Sequence, residues 1–155
     1  MTLNVGNSAP HFILPSDGDS TINLSNLLGK KIVLYFYPKD DTPGCTKEAC
    51  NFRDYALEFA ALNTLIFGIS KDNSKSHDKF KAKYSLPFHL LSDESTAVCQ
   101  AYGVWIEKSL YGKKYMGIER STFLIDTHGI IRHRWQNVKI DQHVEHVLEA
   151  TRSLD

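Results

Sequence analysis

The run Ile32-Val-Leu-Tyr-Phe-Tyr37 constrains the fold more than any other stretch. All its side chains are apolar or aromatic, so a strand built from it has no face that suits water. It fits only a central strand covered on both sides. The segment after it tightens the constraint. From Thr42-Pro-Gly-Cys-Thr-Lys-Glu-Ala-Cys50 onward, Ala49, Phe52, Ala56 and Phe59 recur at spacings of 3, 4 and 3, the stripe of an amphipathic helix. Thr42 suits the N-cap, and Pro43 suits the first helical position, where a missing N–H costs nothing. A strand therefore hands over to a helix here, and Cys45 falls in the first turn.

The rest of the chain repeats this alternation. Before the central strand, Phe12-Ile-Leu14 and Ile22-Asn-Leu24 flank Asp17-Gly18-Asp19, as in a small hairpin followed by a short turn of helix. Leu65-Ile-Phe-Gly-Ile69 reads as a second strand, Asn73 to Tyr84 as a surface helix, and Phe88 to Leu91 as a short strand. Ser92-Asp-Glu-Ser begins another helix, with Ala97, Val98, Ala101 and Tyr102 inward, and residues 103 to 118 read as a long aromatic loop. Arg120–Asp126 and Ile130–Trp135 flank Thr127-His-Gly129 as a hairpin, and Asp141 to Leu154 closes the chain as a helix. The order predicts an α/β fold, a mixed central sheet with helices on both faces. A β-α-β half followed by β-β-α is the thioredoxin-like arrangement.

At 155 residues the expectation is one domain, 1–155, around one core. Lysine plus arginine and aspartate plus glutamate number 18 each, so the formal net charge is zero and no nucleic-acid footprint is expected. The apolar runs are too short to span a bilayer, and Met1-Thr-Leu-Asn-Val-Gly-Asn7 has neither the basic region nor the apolar core of a secretory signal. Three cysteines are too few for a disulfide framework. A reducing cytoplasm is the expected home, where a conspicuous cysteine pair is catalytic or metal-binding rather than structural.

A thiolate, not a thiol, attacks electrophiles. Unpaired amides and the dipole at a helix N-terminus favour an anion, but a surface dipole contributes only about 0.3–1 kcal/mol. Full activation needs a second cation, and Arg120 is the candidate on topological grounds. A strand through Thr122–Ile125 beside Ile32–Tyr37 would bring its fork to the first helical turn. Two readings of Arg120 stay open: that cation, or a solvated charge at a strand end. Cys45 itself is either the activated thiol or a small buried hydrophobe.

Cys50 lies five residues on. On an ideal helix, positions that far apart have Cα atoms roughly 8–9 Å from each other, whereas a disulfide needs about 4.4–6.8 Å. If the two react, the first turns must unwind. Cys99 has no capping or glycine context and is expected to be buried and inert. His143 and His146 share a helical face, but with no further ligands nearby they are expected to be solvated.

The segment Pro38-Lys-Asp-Asp-Thr42-Pro-Gly-Cys45 matches the Pro-x-x-x-Thr-x-x-Cys signature of peroxiredoxins. With Thr46-Lys-Glu-Ala-Cys50 and Gly117-Ile-Glu-Arg120-Ser-Thr-Phe-Leu-Ile-Asp126, the chain resembles the bacterioferritin comigratory protein, or peroxiredoxin Q, subgroup over essentially its whole length. The resemblance implies a thioredoxin-like fold and peroxidase activity on hydrogen peroxide and organic hydroperoxides, without metal or bound cofactor. It makes Cys45 the peroxidatic cysteine and Thr42 and Arg120 the groups that hold thiolate and peroxide. It makes Pro38 the shield of the pocket and Cys50 the resolving cysteine. It further implies a monomer reduced by thioredoxin. Three rivals are a general disulfide oxidoreductase, which would carry Cys-x-x-Cys, a redox sensor using the same dithiol, and a structural metal site.

Overall fold

The computed structural model describes residues 3–154. Its centre is β3 (Lys31–Phe36), buried along its whole length. Side chains alternate across a pleated strand, so Ile32, Leu34 and Phe36 enter one core while Val33 and Tyr35, with Tyr37 just beyond, enter the core on the opposite face. On one side β4 (Thr64–Ser70) runs parallel to β3, and β5 (His89–Ser92) runs parallel to β4. On the other side β8 (Ser121–Ile125) lies antiparallel, followed by β9 (Ile131–Trp135). The hairpin of β1 (Ile13–Ser16) and β2 (Ser20–Asn23) extends the sheet beyond β5, giving the order β2-β1-β5-β4-β3-β8-β9. This is the mixed α/β sheet expected.

Helices α1 (Pro43–Asp54), α2 (Ala56–Ala61), α3 (Ser74–Tyr84) and α5 (His143–Arg152) cover the face that carries Tyr35. The short α4 (Ala97–Ala101) delivers Cys99 to the other face, beside Tyr102. Tyr35 packs its ring against Phe52, with centroids 4.6 Å apart. Gly68 makes room for it: a Cβ there would meet the Tyr35 hydroxyl at 2.8 Å and Leu90 Cδ2 at 2.9 Å.

Several boundaries depart from the sequence reading. The stripe from Ala49 to Phe59 is split, because Tyr55 at φ −107° and ψ 10° ends α1 and redirects the chain into α2. The helix expected from Ser92 begins only at Ala97: Ser92 is still paired in β5, and the Asp93 carboxylate caps the amide of Cys99 at 2.7 Å. Residues 103 to 118 are not a loop. They contain the antiparallel hairpin β6 (Trp105–Leu110) and β7 (Lys113–Ile118). Lys113 to Met116 are all exposed, so no apolar alternation marks β7. Tyr111 and Gly112, both at positive φ, make the two-residue turn, as right-twisted hairpins require.

Candidate active site

The site forms where β3 gives way to α1. Pro38 follows Tyr37 and is half-buried. Asp40 then anchors the connecting loop from within: its carboxylate accepts from Tyr37 Oη at 2.5 Å and Ser76 Oγ at 2.8 Å, and it meets His77 Nδ1 at 2.7 Å. Asp41 sits in the left-handed region, at φ 57°, a conformation aspartate tolerates better than most. Thr42 occupies the N-cap position, but its hydroxyl does not cap the helix. It donates to the carbonyl of Lys39 at 2.9 Å and so closes the loop on itself. The first helical bond is made instead by the Thr42 carbonyl, which accepts from the Thr46 amide at 2.8 Å.

Cys45 lies in that first turn and is 2% exposed. Arg120 reaches it from the residue before β8. Ser121 is paired with Phe36, the last residue of β3, and this register carries Arg120 to the head of α1. Its Nη2 lies 3.3 Å from Cys45 Sγ, and its Nη1 donates to Glu48 Oε1 at 2.7 Å. The guanidinium is thus forked between the thiol and a carboxylate. Burial pulls the Arg120 pKa down, but Glu48 and Cys45 outweigh it and the net shift is upward, so the cation is firmly charged. Gly44 clears its path: a Cβ there would stand 3.3 Å from Arg120 Nη2 and 3.2 Å from Ile140 Cδ1.

The sequence reading missed Glu48. It is fully buried, and burial raises its carboxyl from 4.5 to about 7 despite the attraction of Arg120. A signal for it existed: Cys45 and Glu48 are three apart on one helix and so share a face. The reading of His143 was also wrong. His146 is exposed as expected, but His143 is buried, with Nε2 within 2.8 Å of Thr122 Oγ1 and its ring edge-on to Phe52 and Trp135. Burial, together with His146 and Arg120, lowers its pKa to about 4, so at neutral pH it is uncharged.

Thr42, Cys45 and Arg120 therefore gather at the head of one helix, and Pro38 lies in the segment that leads into it. Cys50 lies further along α1, half-buried and unbonded to Cys45. Cys99 is remote, in the opposite core, and its thiol pKa is pushed well up by burial and the Asp93 carboxylate. Among the described residues, no three His, Cys, Asp or Glu side chains cluster as a metal site, and no helix is long and apolar enough to cross a membrane.

A mixed sheet of this order, with a helix headed by a buried thiol packed on it, places the chain in the thioredoxin-fold class. Comparison with known proteins narrows the class. The profile of the AhpC/TSA family matches residues 5–134. The putative peroxiredoxin bcp of Coxiella burnetii is 54% identical over 148 residues, covering 96% of this chain and 98% of that protein. A crystal structure of a Xylella fastidiosa PrxQ mutant superposes with a TM-score of 0.94 at 38% identity, covering 99% of this chain and 98% of its own. The Xanthomonas campestris bacterioferritin comigratory protein, described for its alkyl peroxide reduction activity, superposes at 0.88 with 42% identity over 92% of this chain and 90% of its own. The chain belongs to the AhpC/TSA family, within its Bcp/PrxQ peroxiredoxins.

Proposed function

We propose that this protein, acting as a single cytoplasmic domain over residues 1–155 and as a monomer, reduces hydrogen peroxide and organic hydroperoxides with thioredoxin or a similar dithiol as reductant. The observation that carries the reading is the fork of Arg120, 3.3 Å from the Cys45 sulfur and 2.7 Å from Glu48. A fixed cation beside the sulfur stands where negative charge lies before attack and can stabilise it as it moves to the leaving oxygen.

The Cys45 thiolate attacks the distal peroxide oxygen. An S–O bond forms as the O–O bond breaks, sulfur is oxidised to sulfenic acid, and the leaving oxygen takes a proton to give water or an alcohol. Arg120 stands beside the sulfur from which that negative charge moves to oxygen. Thr42, whose hydroxyl closes the loop onto the Lys39 carbonyl, and Pro38 lie in the segment that leads from β3 into α1, where the peroxide would approach Cys45. The chemistry needs no metal or bound cofactor.

Cys50 then attacks the sulfenic sulfur, an S–S bond forms and the hydroxyl leaves as water. The wound helix holds the two residues too far apart, so α1 must open at each turnover. The external dithiol reduces the disulfide by exchange through a mixed disulfide. The likeness to the Xanthomonas protein supports alkyl hydroperoxides as substrates. The deciding experiment compares peroxide consumption, coupled to thioredoxin and its reductase, with reduction of an insulin-type disulfide. Sustained peroxide turnover is expected, and activity confined to the second assay would overturn the reading.

A further inference from the structure

Glu48 lies between the two cysteines, inside the segment that has to open. It is wholly buried, Oε1 is bound by Arg120, and among the described residues Oε2 has no hydrogen-bond partner. Its surroundings do little to compensate. Arg120, from the turn before β8, is its ion-pair partner. Tyr35, from β3, lies within its field and offers an aromatic wall and a hydroxyl that is itself unpartnered among the described residues. On its own helix Cys45 and Cys50 flank it in sequence, three residues before and two after. Asp40 from the β3–α1 loop, Lys108 from β6 and His143 from α5 form the next ring, acting on Tyr35 or Arg120 rather than on Glu48. A carboxylate in such a place is poorly solvated, whereas its neutral acid is comfortable.

We propose that Glu48 is a positioning residue that divides the catalytic cycle by its protonation: neutral, it stays buried, aligns Arg120 and keeps α1 wound for peroxide attack; ionised, it favours the unwound form in which Cys50 can reach Cys45. The proposal rests on Cys50 being the resolving cysteine. Its physical basis is that unwinding moves this carboxyl from a buried site to water. The sign follows from linkage. The carboxyl titrates near 7 when buried and near its ordinary 4.5 when exposed. Between those values the unwound form binds fewer protons, so rising pH draws the helix open. Below 4.5 the wound form has its full advantage, and above 7 the effect is complete.

The test follows Cys45–Cys50 disulfide formation after a rapid peroxide pulse, in the wild type and in Glu48→Gln, across pH 4.5 to 7.5. Glutamine imitates the neutral acid. Ionisation of Cys50 is common to both proteins, so their rate ratio isolates Glu48. The ratio of wild type to variant should rise by up to about tenfold per pH unit between 4.5 and 7 and level off above that. A ratio flat across the range overturns the proposal. Absence of the disulfide from the wild type at every pH overturns the Cys50 reading, and this inference with it. Should the variant fail to fold, hydrogen exchange on the reduced wild type decides. Amide protection across Thr46–Asn51 should fall with pH in the same window, beyond the intrinsic change in exchange chemistry, and constant protection would refute the idea.

Discussion

Arg120 stands 75 positions from Cys45 in the sequence and 3.3 Å from it in space, Nη2 to Sγ. The contact is specific to a fork, because the other arm of the same guanidinium is engaged by Glu48. Lysine offers a point charge on a flexible stem and cannot serve both partners in that geometry. Arg120→Ala should slow peroxide attack by about 10²–10³-fold, the usual cost of removing one oriented donor, and Arg120→Lys should recover only part of the loss. Stopped-flow oxidation by hydrogen peroxide measures this, and an unchanged rate in Arg120→Ala would remove the arginine from the chemistry.

The two cysteines should fail differently. Cys45→Ser should reduce peroxide consumption to background. Cys50→Ser should retain the first oxidation but stop after about one equivalent, with Cys45 driven on to sulfinic acid by excess peroxide. Mass spectrometry of the oxidised wild type should find Cys45 bonded to Cys50. A Cys45–Cys99 bond would refute that pairing, and the placement of Cys99 in the opposite core weighs against it.

His143 should make the fold acid-sensitive. Its pKa drops from 6.5 to about 4 on folding, chiefly through burial. Between those values the unfolded chain binds a proton that the folded chain refuses, so stability falls as pH drops from 6.5 through 4. The full shift corresponds to at most about 3 kcal/mol. Glu48 tilts stability the other way between 4.5 and 7, so the raw profile of the wild type mixes both slopes. The difference between wild type and His143→Gln in urea unfolding isolates the histidine, and should shrink as pH falls. A difference independent of pH would show that His143 contributes only packing.

Gly68→Ala should destabilise without touching the site's charges. The new methyl would press on the Tyr35 ring and on Leu90, both closed in by packing. Overpacking of this kind costs about 1–3 kcal/mol, readable as a lower urea midpoint at an unchanged slope. A variant as stable as the wild type would mean that Tyr35 can swing aside.

What the sequence disclosed follows from the range of the interactions involved. The central strand, the cysteine in the first helical turn and the hairpin from Ser121 to Trp135 were legible because each rests on local apolar pattern or turn chemistry. The approach of Arg120 could be anticipated only through the guess that β8 lies beside β3. Glu48 shares a helical face with Cys45, but that spacing alone does not show that the face is closed over by an arginine 72 residues further along the chain. His143 was misread for the same reason. Its burial depends on Thr122, Phe52 and Trp135, which meet only in the folded sheet. The hairpin of β6 and β7 was hidden because it is solvated on most of its surface and carries no binary pattern.

The placement of β3 between β4 and β8 has a consequence for how the protein is made. The β3–β4 pairing closes early, but the β3–β8 pairing joins Ile32 to Ile125 and must wait for a long stretch of chain. Contacts of such sequence separation form slowly, and on the ribosome they cannot form until the second strand has emerged. During that interval Cys45 exists without Arg120. The nascent chain therefore carries the Cys45 thiol without its cationic neighbour, and the contact between the two is completed last, when the C-terminal half docks.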